Sequence, residues 1–165
     1  MSAVAELGAR AKAASRVLAN LSTEAKDATL LAGADLLVER TDDLLAANDA
    51  DVERERAAGG LVEAMARARD RVAAMAAGLR QVAQLPDPVG EVTEGWTRPN
   101  GLRIAKVRVP LGVVAMIYEN RPNVTSDAFG LCLKSGNAAF LRGSSGAIRS
   151  NVAIAGVLRE ALAKT

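Results

Sequence analysis

The sequence predicts an α/β chain: a helical N-terminal region, a β-hairpin, and then a βαβα unit. Three observations predict it. Residues 1–85 are rich in Ala, Leu, Arg, Glu and Asp and contain no proline, a helix-forming composition. The stretch "LPDPVGE" (85–91) then breaks the pattern with two prolines and a glycine. The last third alternates apolar strand-like runs with helical spacing, in the order strand, helix, strand, helix. That order implies a parallel sheet with right-handed crossovers. The boundaries fall at 1–85 for the helical region, 86–109 for the hairpin and linker, and 110–165 for the βαβα unit.

In the helical region, Leu30, Leu31, Ala34, Leu37 and Val38 share one helix face, and Ser22 or Thr23 suits its N-cap. Thr41 followed by Asp42 and Asp43 starts the next helix, since carboxylates favour the positive end of the helix dipole. Gly59-Gly60 ends it. Leu61, Met65, Ala68, Val72, Met75, Leu79 and Val82 follow at spacings of four and three. Such a stripe is read either as a dimer seam or as a helix packed in a bundle. About three heptads, weakened by Ala68 and Gly78, favour the bundle.

The segment "EVTEGWTRPNGLRIAKVRV" (91–109) reads as a hairpin around Pro99-Asn100-Gly101, with Trp96 as a packing residue. "GVVAMIY" (112–118) is a continuous apolar run, the pattern of a strand covered on both faces. A helix follows with Ala128, Leu131 and Cys132 in phase, then the strand "NAAFLRG" (137–143). A last helix over 144–165 places Ile148, Val152, Ala155 and Leu158 on one side.

Composition narrows the function. Aromatic residues make up 2% of the chain, too few for base stacking. Net charge is +2, from 21 basic and 19 acidic residues, which argues against a polyanion-binding face. No nucleic-acid partner is expected. There is no histidine, which removes imidazole acid–base chemistry and most zinc sites. Cys132 is the single cysteine, so no internal disulfide forms, in keeping with a reducing cytoplasmic setting. The N-terminus has no apolar core of a signal peptide, and no run approaches the ~20 apolar residues of a membrane span.

In parallel α/β sheets, ligands bind beyond the carboxyl ends of the strands. Two polar turns lie there. The first is Glu119-Asn120-Arg121-Pro122-Asn123. Its structural reading is that Asn123 caps the helix and Glu119 pairs with Arg121. Its functional reading is that the turn lines a site. The second turn is Arg142-Gly143-Ser144-Ser145. Backbone N–H groups at a helix start, two hydroxyls and a guanidinium suit a phosphate, although the turn matches neither GxGxxG nor a Walker loop.

The stretch "RVPLGVVAMIYENRPNVTSDAFGLCLKSGNAAFLRGSS" resembles the gamma-glutamyl phosphate reductases (glutamate-5-semialdehyde dehydrogenases) of the aldehyde dehydrogenase superfamily. "LLAANDADV" (44–52), "GLRQVAQLPDPVGEV" (78–92) and "RPNGLRI" (98–104) resemble them too. The resemblance implies that the βαβα unit is the first part of a Rossmann-like cofactor domain, incomplete here. It implies an NADPH-dependent step of proline biosynthesis, reduction of L-glutamyl 5-phosphate to L-glutamate 5-semialdehyde with phosphate release. In that family a cysteine thiolate attacks the acyl phosphate, and hydride then reaches the resulting thioester.

Residue by residue, the resemblance gives Asn123 as the amide donor to the oxyanion. Arg121 is a candidate for an anionic part of the substrate. Arg142, Gly143, Ser144 and Ser145 are candidates for the 2′-phosphate of NADPH. Lys134 and Asn137 shape the entry to the second strand. Gly146 stands where many relatives carry a glutamate, so no carboxylate is offered to the ribose from that position. The stretch 63–72 is shorter than in relatives. The family's nucleophilic cysteine lies in a further domain, expected to be absent from this chain. Cys132, among Phe129, Leu131 and Leu133, reads as an inert buried thiol. The expectation is an inactive N-terminal piece that is either poorly soluble or stabilised by self-association, a possible homo-oligomer. The alternatives are a non-catalytic helical oligomerisation module and another aldehyde dehydrogenase.

Overall fold

A computed structural model describes residues 2–59 and 68–165. The helices are α1 (Ala3–Leu18), α2 (Thr23–Glu39), α3 (Thr41–Ala57) and α4 (Ala68–Gln84). The hairpin strands β1 (Val92–Thr97) and β2 (Arg103–Val107) follow. Then come β3 (Val113–Ile117), α5 (Asn123–Lys134), β4 (Ala138–Arg142), a 3-10 turn (Ser145–Ala147) and α6 (Ile148–Lys164). The predicted mixed α/β class and its element order are what the structure shows.

Local sequence marks several helix ends. Ser22 caps α2 by accepting the Ala25 N–H at 3.2 Å. Thr41 begins α3, as expected, but its hydroxyl turns back to donate to the Val38 carbonyl at 2.7 Å, so α3 has no side-chain cap. Gly59, at φ +72°, takes the left-handed conformation beyond the end of α3.

The core is built around α2. Leu30, Ala34 and Leu37 are fully buried against Val72, Met75 and Leu79 of α4 and Ile154 and Leu158 of α6. The described part of the 61–82 stripe is therefore turned inward, which removes it as a dimer seam. Leu61 and Met65 lie outside the described residues. Gly130 allows α5 to press onto α4, since a Cβ there would meet Leu79 Cδ2 at 2.9 Å.

Two lysines are buried in this bundle. Lys26 pairs with Asp87 at 2.7 Å. Burial opposes ionisation of Asp87, yet bonds from Lys26, the Val89 N–H and Thr23, with the Lys26 charge, hold its carboxyl below the ordinary 3.8. Lys134, at 4% exposure, pairs with Asp27 and donates to the Ala83 carbonyl at 2.9 Å.

The hairpin pairs Trp96 with Ile104 across an antiparallel ladder, and Gly101 at φ +84° closes the Pro-Asn-Gly turn. Trp96 is 47% exposed, which corrects its reading as a packing residue: β1 and β2 form a two-stranded sheet with little laid over it. The parallel pair runs in register from Val113↔Ala138 to Ile117↔Arg142. β3 is less covered than its apolar run predicts, with Ile117 at 75% exposure. On α5, Ala128 and Cys132 face inward as read, but Leu131 is 56% exposed. On α6, Ile148, Val152, Ala155 and Leu158 do share a face. It lines an open groove of about 530 Å³ between α1, β4 and α5, which leaves Val152 at 60% exposure.

Candidate functional site

Because Ile117 and Arg142 are register partners, both strands end at one rim, and the Tyr118 N–H donates to the Arg142 carbonyl at 3.1 Å. The 118–122 and 143–147 turns leave the sheet side by side. Gly146 is buried against Asn120: a Cβ at Gly146 would lie 2.6 Å from both amide atoms of Asn120. Gly143 is equally constrained, since a Cβ there would fall 2.2 Å from Asn151 Nδ2. The turns therefore close on each other only where side chains are missing.

Asn123 opens α5 without capping it. Pro122 occupies the cap position, and no side chain accepts there. The amide nitrogen donates once, to Asp127 Oδ2 at 3.2 Å, and the half-buried side chain stands at the sheet's carboxyl rim. The capping reading is thereby excluded, and one N–H of the amide has no partner among the described residues. Arg121 and Glu119 are both exposed. They meet through the backbone, Arg121 N–H to the Glu119 carbonyl at 2.8 Å, rather than as an ion pair. Among the described residues neither side chain has an ion-pair partner.

Arg142 is exposed at the end of β4, also without an ion-pair partner among the described residues. Ser144 Oγ accepts the Gly146 N–H at 3.2 Å, and Ser145 is exposed. Behind the turn, the Tyr118 hydroxyl bonds Thr125 at 2.6 Å, and Thr125 donates to Asn151 Oδ1 at 3.2 Å. Asn120 Oδ1 and Asn151 Nδ2 are buried without a partner among the described residues.

Lys134 and Asn137 do not reach the rim. Asn137 accepts the Gly112 N–H at 2.8 Å and donates to Ser135, tying together the starts of β3 and β4. Cys132 is 6% exposed, and burial raises its thiol pKa. We predict that iodoacetamide at neutral pH modifies the folded chain at least about tenfold more slowly than the urea-unfolded chain. Equal rates would show an accessible thiolate.

The sequence reading missed Asp51 and Arg54 of α3. Arg54 donates to the carbonyls of Ser145 and of Gly146, the latter at 2.8 Å, so a helix nearly a hundred residues upstream grips the 142–147 turn. The 44–52 motif contains Asp51, but nothing in its spacing points to a partner so distant in sequence.

No protein-family model matches the chain. A gamma-glutamyl phosphate reductase of Caldanaerobacter subterraneus subsp. tengcongensis is 54% identical over 94% of this chain and 38% of the relative. One from Koribacter versatilis is 59% identical over 86% of this chain and 34% of the relative. The crystal structure of the Thermotoga maritima gamma-glutamyl phosphate reductase superposes with a TM-score of 0.96 at 42% identity, covering 99% of this chain and 40% of that one. Aldehyde dehydrogenases of 20–21% identity share the fold at TM-scores of 0.70 and 0.79. The chain thus spans roughly a third to two fifths of the length of the reductases it matches. By sequence and by fold, over that share of their length, it matches the gamma-glutamyl phosphate reductases.

Proposed function

We propose that this chain carries the oxyanion donor and the cofactor turn for reduction of L-glutamyl 5-phosphate to L-glutamate 5-semialdehyde, a step of proline biosynthesis. The observation that carries the reading is the pairing of Asn123 and the 142–145 turn at one rim, with the amide of Asn123 free of any capping role. Asn123 donates to the oxygen that gains negative charge when the acyl carbon becomes tetrahedral. Arg121, an exposed guanidinium beside it, binds an anionic group of the substrate through its planar fork.

The turn residues fit a phosphorylated nicotinamide nucleotide. Arg142 has no competing carboxylate among the described residues, and the hydroxyls of Ser144 and Ser145 are at hand. These residues would hold NADPH, which when bound supplies the hydride. Arg142 favours the 2′-phosphate. With Cys132 buried, the attacking thiolate comes from outside these 165 residues.

The test is kinetic. In the enzyme carrying this segment, Arg142→Ala is expected to raise the KM for NADPH by roughly tenfold or more, the value of about one charge-assisted contact, and to leave that for NADH unchanged. Equal effects on both cofactors would refute the assignment. Turnover by the 165-residue chain alone would refute the division of labour.

The same reading includes self-association of the chain as it stands. Among the described residues each two-stranded sheet leaves edges unpaired, and the α6 groove leaves apolar side chains uncovered. Sedimentation velocity should show a concentration-dependent dimer that Val152→Lys, in the groove, dissociates. A monomer at all concentrations would be the contrary result.

A further inference from the structure

The first turn of α6 is already filled by an anion belonging to the chain. Asp51 is fully buried on α3. Its carboxylate accepts the Arg149 N–H at 3.3 Å, the Ser150 N–H at 2.8 Å and the Ser150 hydroxyl at 2.9 Å. Arg54, one turn further along α3, lies 3.3 Å from Asp51 and donates to the carbonyls just before the helix. One turn of α3 therefore satisfies both the donors that open α6 and the acceptors that precede them.

A helix start attracts phosphate because its free N–H groups and the positive dipole end point at the ligand. Here four of the donors at the start of α6 and in the turn before it are taken. Ser144 Oγ holds the Gly146 N–H, the Ser144 carbonyl accepts from Ala147 at 3.4 Å, and Asp51 holds Arg149 and Ser150. A phosphate arriving at that helix end would find the Arg149 and Ser150 amides already held and would face a buried carboxylate. Arg142 and the hydroxyls of Ser144 and Ser145, each still able to donate, are left as its partners.

We propose that Asp51 is a specificity-determining positioning residue: it closes the α6 N-terminus to nucleotide phosphates and confines phosphate binding to Arg142 and the serine hydroxyls of the turn. The inference rests on the reading of 142–145 as the cofactor turn. It deepens that reading by naming which face of the turn is used.

Amide-resolved NMR on the 165-residue chain tests it, with 2′,5′-ADP and adenosine as probes. With the wild type, 2′,5′-ADP should shift the amides of Gly143, Ser144 and Ser145 and leave those of Arg149 and Ser150 in place. Asp51→Asn keeps the side-chain shape and an acceptor oxygen but loses the charge. In that variant 2′,5′-ADP should bind about tenfold tighter and now move Arg149 and Ser150, while adenosine affinity stays constant. A purely structural role would weaken both probes together and overturn the proposal. So would wild-type shifts centred on Arg149 and Ser150, which would leave the cofactor-turn reading standing. If neither probe moves 143–145 in the wild type, that reading fails and the inference falls with it. Should Asp51→Asn not fold, the wild-type shift map alone decides.

Discussion

Alanine at Lys134 is expected to lower the unfolding free energy by about 3–5 kcal/mol, the cost of breaking a buried ion pair from one side. Lys134 reaches from the last turn of α5 to Asp27 of α2 and to the Ala83 carbonyl near the end of α4. Its removal strands a carboxylate and a carbonyl in a space the fold cannot fill. Asp27 keeps 29% of its side-chain surface, so water relieves part of the penalty and the lower end of the range applies. Urea denaturation measures the effect as a fall in midpoint at constant slope. The double change Lys134→Met with Asp27→Leu removes both charges together and should recover most of the loss. A single variant within about 1 kcal/mol of the parent would show that the pair carries little of the packing between α5 and α2.

Lys134 also marks where sequence reading stops. A lysine in "LKSGN" has no property that separates a solvated tip from a buried tie, because the difference lies in Asp27, more than a hundred residues away. Asp51 poses the same problem inside the polar run "NDADVERER", which reads as a solvated helix face. Features that depend on neighbours in sequence were legible. Ser22 caps three residues ahead, the Pro-Asn-Gly turn closes over four residues, and an apolar run of seven forces an extended strand. Burial is a property of what is laid against an element, so Trp96, Leu131 and Ile117 were apolar without being covered. The candidate site divides the same way. Parallel strands with right-handed crossovers put both turns at one rim from topology alone. The α3 grip on one of those turns needed coordinates.

Asn123→Ala is expected to lower kcat of the enzyme carrying this segment by about 10²–10³, the loss of one oxyanion donor worth roughly 2.7–4 kcal/mol. The magnitude follows from the role proposed for the amide. A donor fixed at the carboxyl rim strengthens its bond as charge develops on the acyl oxygen, so KM should change little. Stability provides the control. The side chain does not cap α5, and its one described bond goes to exposed Asp127 at 3.2 Å. Its loss should therefore cost no more than about 0.5–1.5 kcal/mol of unfolding free energy. A helix-capping or packing role would give the opposite pattern, a lower melting temperature with kcat nearly intact. Asn123→Asp sharpens the distinction. It is close in shape, so folding should survive, but it replaces the N–H with a carboxylate oxygen where negative charge must accumulate. Activity should fall at least as far as in the alanine variant. An aspartate variant that retained wild-type kcat would remove Asn123 from the chemistry altogether.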